Sequence, residues 1–315
     1  MNSAFFYIQI LGGGIISKNI FITVDVEGDW SLYPSEQRTF EVEPILRNLD
    51  NLDILIKQAE SLFQTKIPIT WFIRCDASVK SNLGSYDGLL NSMERFLEMR
   101  TIEQDCFGIH PHLYSTKEDS SRRISVNDIE VQLSLAFQSW KSYFGENARF
   151  SRLGEARMTD RIANQLSLNG IEIDSTALPG RSRKDNGFDF DWSRAAEFPY
   201  YPSTDDYQVM GEDSTNHTFL EVPFTMLPIK GSNDSEVIHR YFNLSYRSNL
   251  IEEALLNMSL PENIVCVLHP HELFPKKNSV HDIISYKPDS FLNNLTLLHK
   301  LSETINFKTL DQFKF

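Results

Sequence analysis

Apolar residues recur along this chain with two alternating periods, which predicts strands and helices in succession. The segment 19–27 is an almost unbroken apolar run rich in β-branched residues, as in a buried strand. In the segment 43–64, apolar residues recur at helical spacing and predict an amphipathic helix. We predict further strands within 67–75, 105–113, 148–154, 171–176, 219–224, 263–273 and 307–310. We predict further helices over 127–144, 158–170, 249–258 and 291–305.

Two of these helices carry recognisable end signals. Thr159 is a candidate N-cap, and Gly170 stands where a left-handed residue would end the same helix. Gly145 is a plausible C-cap of the helix over 127–144, whose apolar residues fall on one face.

The alternation of strands and helices favours a parallel sheet or a β/α barrel over a sandwich. The segment 178–218 interrupts it, because this stretch is rich in Asp, Ser, Pro, Tyr and Gly. We predict a long loop insertion there, and long ordered loops tend to be functional.

Charge and composition narrow the class of partner. The net charge is −13, which argues against nucleic acid or an anionic membrane as the main partner. The three cysteines show no CxxC spacing, so we predict neither a disulfide framework nor a structural zinc knuckle. No apolar run is long enough to span a membrane, and the N-terminus lacks a basic leader, so we expect a cytoplasmic protein.

Polar residues stand where the predicted strands end. They are Asp25 and Glu27, His110 and His112, Arg152, Asp174, and His269. In parallel α/β folds the carboxyl ends of the strands meet at one edge, where active sites lie. We therefore expect two carboxylates, at least two imidazoles and one guanidinium to converge there.

Each of these residues also has an ordinary structural explanation. A single strand-end aspartate such as Asp25 usually caps a turn, and Arg152 alone would form a surface ion pair. His110 and His112 are more informative, because residues i and i+2 of a strand point to the same face. Two imidazoles on one face, with a nearby carboxylate, can bind one divalent ion.

Together these segments resemble the polysaccharide deacetylase family, also called carbohydrate esterase family 4 or the NodB-homology fold. "ITVDVEGDW" is similar to its first motif, "FGIHPHLY" to its histidine motif and "RFSRLGEA" to its arginine motif. "IEIDST" and "VCVLHPHEL" are similar to the later strand motifs, and the DVE and HxH variants resemble a divergent subgroup. The resemblance covers a core over 19–310 of a single domain, which we place at 1–315.

The resemblance implies a distorted (β/α)7-type barrel and a hydrolase that removes an N-acetyl or similar acyl group from an acetamido sugar. It implies that Asp25 is the general base and that Arg152 pairs with it. His269 would be the general acid, and Asp174 would orient and charge its ring. Synthesis of a surface polysaccharide is one setting for such an enzyme.

The resemblance also implies a divalent metal cofactor, which we expect to be zinc, held by Glu27, His110 and His112. Glu27 stands where the family has an aspartate, and Tyr114 stands where it has a second histidine. Either His112 takes the place of that histidine, or the metal has only two protein ligands.

Two other interpretations remain open from the sequence. The first is a non-catalytic carbohydrate-binding relative that keeps the barrel and has lost the metal. The second is a glycosidase that uses a carboxylate pair such as Asp25 and Glu221. A glycosidase has no need of the HxH pair, and the oligomeric state is not determined by the sequence.

Overall fold

The computed structural model describes residues 17–28, 41–113, 126–185, 188–212, 214–275, 281–302 and 304–314. In these residues the strands are β1 (Ser17–Val26), β2 (Thr70–Ile73), β3 (Cys106–Ile109), β4 (Phe150–Ser151), β5 (Ile173–Asp174), β6 (Ser182–Asp185), β7 (Phe188–Asp191), β8 (Leu220–Glu221), β9 (Met226–Ile229), β10 (Ile238–Tyr241), β11 (Asn263–Leu268) and β12 (Thr304–Lys308). The helices are α1 (Val42–Phe63), α2 (Ala77–Leu83), α3 (Gly88–Ser92), α4 (Glu94–Ile102), α5 (Val126–Phe144), α6 (Asp160–Leu168), α7 (Ser248–Leu256), α8 (Pro270–Leu273) and α9 (Asp289–Leu301).

A curled parallel sheet forms the centre of the fold. Hydrogen-bonded neighbours follow the order β11-β1-β2-β3-β4-β5-β8, and β12 pairs with the first half of β1. Strand β1 is buried along most of its length, which explains its continuous apolar sequence, since both faces of a parallel sheet are covered in α/β folds. With its surrounding helices, the sheet is a distorted (β/α)7 barrel of the α/β class, as predicted.

The predicted start of α6 and the predicted C-terminal ends of α5 and α6 are confirmed. The Thr159 hydroxyl accepts a hydrogen bond from the Ile162 amide at the start of α6. Gly170 and Gly145 both follow helices and both have a positive φ, +77° in each case, which glycine adopts without strain.

Two boundary predictions were wrong. Helix α9 ends at Leu301 rather than at 305, because Ile305 belongs to β12 and pairs with Lys18 of β1. The last strand is accordingly the five-residue β12 (Thr304–Lys308), which begins earlier than the predicted 307–310. Pairing with β1 overrides the helical spacing of the apolar residues here, since tertiary contacts outweigh local propensity.

Some elements carried no clear signal in the sequence. The helices α2, α3 and α4 between β2 and β3, and the antiparallel hairpin β9–β10, were not predicted. The insertion over 178–218 contains the β6–β7 hairpin, and it is anchored to the barrel because the buried Trp192 indole donates to the Ala156 carbonyl at 2.9 Å.

None of the helices in the described part of the chain is long and apolar enough to cross a membrane. The N-terminal segment 1–16, in which the sequence analysis expected no leader, lies outside the described residues, as does Tyr114.

Candidate metal and catalytic site

The polar strand-end residues meet at the carboxyl edge of the sheet. Asp25 is in the last part of β1, which pairs with β2 and β11, so the ends of these strands lie side by side. His110 directly follows β3 and Arg152 directly follows β4, so both histidines of the HxH pair lie past the strand rather than within it. Asp25, His110, His112 and Arg152 are all buried.

Glu27, His110 and His112 form a compact group of candidate metal ligands. One ligand atom from each of the three lies within 4.8 Å of the others. The two Nε2 atoms of the histidines are 3.1 Å apart, and Glu27 Oε2 lies 3.0 Å from His112 Nε2. Within the described residues this is the one such group that could hold a metal ion.

The hydrogen bonds of His110 prepare it as a ligand. Its Nδ1 lies 2.8 Å from the Arg152 carbonyl, which can only accept, so Nδ1 carries the proton. Burial lowers the pKa of His110 to about 4, against the opposing effect of the Asp25 charge. A neutral ring therefore presents the lone pair of Nε2 toward His112 and Glu27, as metal-binding imidazoles do.

The Glu27 carboxylate also fits a metal ion. Its Oε2 is buried and lies 3.0 Å from His112 Nε2, so these two candidate ligand atoms face the same point. Burial raises the pKa of Glu27, but His112 and the other two imidazoles lower it well below its usual value, so the group is ionised. One anionic oxygen and two imidazole nitrogens form a 2-His-1-carboxylate set suited to zinc or another divalent transition metal.

His112 is held in place by its surroundings. Its backbone amide donates to Asp76 Oδ2 at 3.1 Å, and the other oxygen of Asp76 caps helix α2. Gly154 packs directly against the ring, because a Cβ at this position would lie 2.2 Å from His112 Cδ2. The glycine of the arginine motif therefore leaves the room that the imidazole occupies.

Asp25 and Arg152 form the ion pair that the family resemblance implied. Arg152 Nη1 donates to Asp25 Oδ1 at 2.7 Å, and the same nitrogen donates to the Thr23 hydroxyl. Burial raises the pKa of Asp25, but the Arg152 guanidinium and two nearby imidazoles lower it below its usual value. Asp25 is therefore ionised at neutral pH.

Aromatic rings fix the plane of the Arg152 guanidinium. The rings of Phe72 and Phe224 lie on it, each with its centroid 4.3 Å from the guanidinium carbon. The Ser175 carbonyl and hydroxyl accept two more of its hydrogen bonds. A buried guanidinium with these contacts has little freedom to leave Asp25.

His269 stands between the base and the metal ligands. Its Nε2 lies 3.6 Å from Asp25 Oδ2 and 3.6 Å from Glu27 Oε1. Its Nδ1 lies 3.3 Å from Glu272 Oε2. Burial lowers the pKa of His269, but Glu272 and the two other carboxylates raise it to about 10. The ring is therefore an imidazolium at neutral pH.

Glu272 lies against His269 at the site, and the sequence analysis missed it. Asn243 and Ser245 donate to its Oε2 at 2.7 and 2.8 Å. Although burial raises the pKa of Glu272, His269, His271 and the Asn243 amide lower it to about 2. The signal was present in "HPHEL", since a residue three positions after a histidine lies beside it when the strand turns into a helix.

Asp174 does not contact the His269 ring, although the family resemblance implied that it would. Asp174 accepts hydrogen bonds from the Ser151 hydroxyl and the Thr176 amide, and its neighbour across the sheet is Glu221. The His269 ring has its ion pairs with Asp25, Glu27 and Glu272 instead. The position predicted for Asp174 is taken by Glu272, because β5 lies on the far side of β4 from the ring.

Two solved structures resemble this fold over most of their length. A protein from Mycobacterium smegmatis that is assigned as a polysaccharide deacetylase matches with a TM-score of 0.52 and 12% identity, over 96% of this chain and 90% of its own. A protein from Parabacteroides distasonis that is assigned as a glycoside hydrolase/deacetylase matches with a TM-score of 0.57 and 11% identity, over 94% of this chain and 70% of its own. The chain has the polysaccharide-deacetylase fold.

No protein-family model and no curated protein matches the sequence. At these low identities the structural likeness shows the polysaccharide-deacetylase fold and leaves the activity to be argued from the site. The divergent DVE and HxH subgroup stays a prediction.

Proposed function

We propose that this protein is a metal-dependent hydrolase that removes an acetyl or similar acyl group from the nitrogen of an acetamido sugar. The observation that supports the proposal most is the grouping of an ionised carboxylate, an imidazolium and three candidate metal ligands around one point. Asp25 and His269 differ in charge and face each other across 3.6 Å, and Glu27 lies beside both. Amide hydrolysis needs a base, an acid and a stabilised oxyanion, and this arrangement offers groups for each.

In this proposal Asp25 accepts a proton from the attacking water, and Arg152 keeps it ionised and oriented. His269 donates its Nε2 proton to the leaving nitrogen as the C–N bond breaks. Glu272 holds His269 in the charged form, in the role that the sequence assigned to Asp174. Water thus supplies the hydroxyl group of the carboxylic acid product, and the sugar leaves as an amine.

Glu27, His110 and His112 would hold the divalent metal, and we expect zinc. A metal bound there would lower the pKa of the attacking water and polarise the acyl oxygen. His110 contributes a lone pair because its other nitrogen bonds the Arg152 carbonyl. Glu27 contributes the buried carboxylate oxygen that lies 3.0 Å from His112 Nε2.

The names of the two similar structures, which mention polysaccharide and glycoside chemistry, support a carbohydrate as the substrate in this proposal. A reaction in surface-polysaccharide synthesis would provide such a substrate. We propose a cytoplasmic location, as expected from the sequence.

Elemental analysis of the purified protein tests the metal site. We expect about one transition metal per chain, and loss of it in the double variant His110→Ala and His112→Ala. The double variant His239→Ala and His299→Ala removes two exposed histidines and serves as the matched control. Equal metal content in all three proteins would overturn the assigned ligands.

Acetate release from a panel of acetamido sugars tests the reaction. We expect release by the wild type and its loss in Asp25→Asn, with sugar binding retained. If no sugar in the panel is hydrolysed while wild type and Asp25→Asn bind one equally well, the protein is a non-catalytic carbohydrate-binding relative.

A further inference from the structure

A pair of buried carboxyl groups stands beside the site without a role in the proposed reaction. Asp174 ends β5 and Glu221 ends β8, and the two are direct neighbours in the parallel register. Both are fully buried. In the described residues no Lys, Arg or His side chain forms an ion pair with either group. Two ionised carboxylates in such a position would repel each other strongly.

The hydrogen bonds around the pair identify which group is the acid. Glu221 Oε1 accepts from the amides of Thr176 and Ala177, at 3.0 and 2.8 Å. Glu221 Oε2 is buried and receives no hydrogen bond from a described donor. Asp174 accepts at both oxygens, from the Ser151 hydroxyl and from the Thr176 amide. A proton on Glu221 Oε2, donated to Asp174, satisfies every one of these oxygens.

We propose that Asp174 and Glu221 share one proton, carried by Glu221, and that this carboxyl–carboxylate pair positions Arg152. Asp174 remains the anion and accepts three hydrogen bonds. Glu221 is a neutral acid that donates one and accepts two.

The pair acts on Arg152 through the short segment 175–177. Both carboxyl groups bind amides of this segment, so its backbone is held against the ends of β5 and β8. The carbonyl and hydroxyl of Ser175 then bind the Arg152 guanidinium at 2.8 and 3.0 Å. The Thr176 hydroxyl accepts from the amide of Leu153, the residue after Arg152. The segment 175–177 therefore forms hydrogen bonds with the side chain of Arg152 and with the backbone of Leu153.

The pKa shifts of the two carboxyl groups support a single proton shared between Asp174 and Glu221. Burial and the neighbouring Asp174 raise the pKa of Glu221 well above its usual value. Burial raises the pKa of Asp174 too, against the hydrogen bonds that it accepts and the charge of Arg152. The other titratable group that faces the pair is the phenol of Tyr200, which is neutral because burial and the two carboxyl groups raise its pKa.

The folding equilibrium of Glu221→Gln tests the shared proton without reference to activity. A glutamine amide can donate to Asp174 while its oxygen accepts the two backbone amides, so the variant mimics the protonated acid at every pH. Above the pKa of a free glutamate, the wild type must take up a proton on folding and the variant must not. We expect the ratio of folding constants, variant over wild type, to rise by up to about tenfold per pH unit.

Urea unfolding between pH 5.5 and pH 8.5, in about half-unit steps, measures this ratio. Asp174→Asn should give a rising ratio as well, because its amide would donate to Glu221 and allow that group to ionise. Glu172→Gln is the matched control, since Glu172 is an exposed neighbour paired with Arg149, and its ratio should stay level. A level ratio for Glu221→Gln over this range would overturn the shared proton.

A kinetic comparison tests the effect on Arg152, and it rests on the proposed deacetylation. We expect Glu221→Met to lower kcat for acetate release by about tenfold to a hundredfold with KM retained, and Glu221→Gln to restore it. Wild-type kcat in a folded Glu221→Met protein would overturn the positioning role. If Glu221→Met does not fold, Asp174→Asn takes its place. Wild-type kcat in Asp174→Asn, with a ratio of folding constants that does not change with pH, would then overturn the positioning role. Absence of acetate release from the wild type would count against the proposed function alone, since the urea ratio is independent of it.

Discussion

Replacing Glu272 by glutamine should lower the pKa of His269 and leave its ring in place. Glu272 Oε2 accepts from Asn243 and Ser245, and a glutamine oxygen can accept the same two hydrogen bonds. The substitution removes the largest single influence that raises the pKa of His269. The ring should stay in place and lose its proton at a lower pH.

The size of the effect follows from the pKa of about 10 in the wild type. Asp25 and Glu27 still lie 3.6 Å from Nε2 in the variant, so the pKa should remain above the ordinary value near 6.5. A fall of roughly two units would leave about 10% of the rings protonated at pH 9, against about 90% in the wild type. We therefore expect kcat to fall about tenfold at pH 9 and to change little at pH 6.5.

The assay is the pH profile of kcat for acetate release, measured beside the titration of the His269 ring by NMR. The general acid must be protonated, so its activity is present below its pKa and is lost as the pH rises through it. The alkaline limb of the profile and the NMR midpoint should move down together in Glu272→Gln. Glu252→Gln, an exposed change on α7, is the matched control and should leave both where they are.

An unchanged NMR midpoint in Glu272→Gln would refute the reasoning that Glu272 charges His269. If the NMR midpoint of His269 falls in Asp174→Asn and stays unchanged in Glu272→Gln, Asp174 is the residue that charges the ring, as the family resemblance implied. A shifted midpoint with an unchanged kcat profile would show that His269 is not the acid.

Three further predictions concern the neighbouring structure. Gly154→Ala should weaken metal binding by roughly 10- to 100-fold in a chelator competition, because the new Cβ displaces the His112 ring, and unchanged affinity would contradict the close packing. Arg152→Ala should lower the free energy of unfolding by about 3–5 kcal/mol in urea, since it leaves the buried Asp25 carboxylate without its partner; a loss under about 1 kcal/mol would contradict this. Thr159→Ala should cost about 1 kcal/mol by the same measurement, through loss of the α6 cap, and no loss would show that the hydroxyl contributes nothing.

The sequence predicted correctly which polar residues lie at or just past the strand ends. Asp25, His110 and Arg152 are each at or just past a strand, and parallel strands bring their carboxyl ends to one edge whatever the loops do. Continuous apolar runs mark such strands, so their ends can be read from composition alone. The pairing of Asp25 with Arg152 is formed as the family resemblance implied.

The pattern of apolar and polar positions could not predict which side chains on different strands contact each other. Asp174 and Glu272 are both acidic residues near strand ends, and nothing in their spacing tells which one reaches His269. The choice depends on the strand order, which places β11 beside β1 and β5 two strands beyond β3, and on the turn that carries Glu272 back to the ring.

The sequence by itself thus determined the alternation of elements, the α/β class with parallel strands and the residue types at their carboxyl ends, because periodicity and strand polarity are local properties of the chain. The barrel came from the family resemblance. Only the tertiary structure decided the partner of His269, the pairing of Asp174 with Glu221 and the closeness of Gly154 to His112. These contacts depend on distances of a few ångströms between segments far apart in the chain, and such distances are set by packing rather than by pattern.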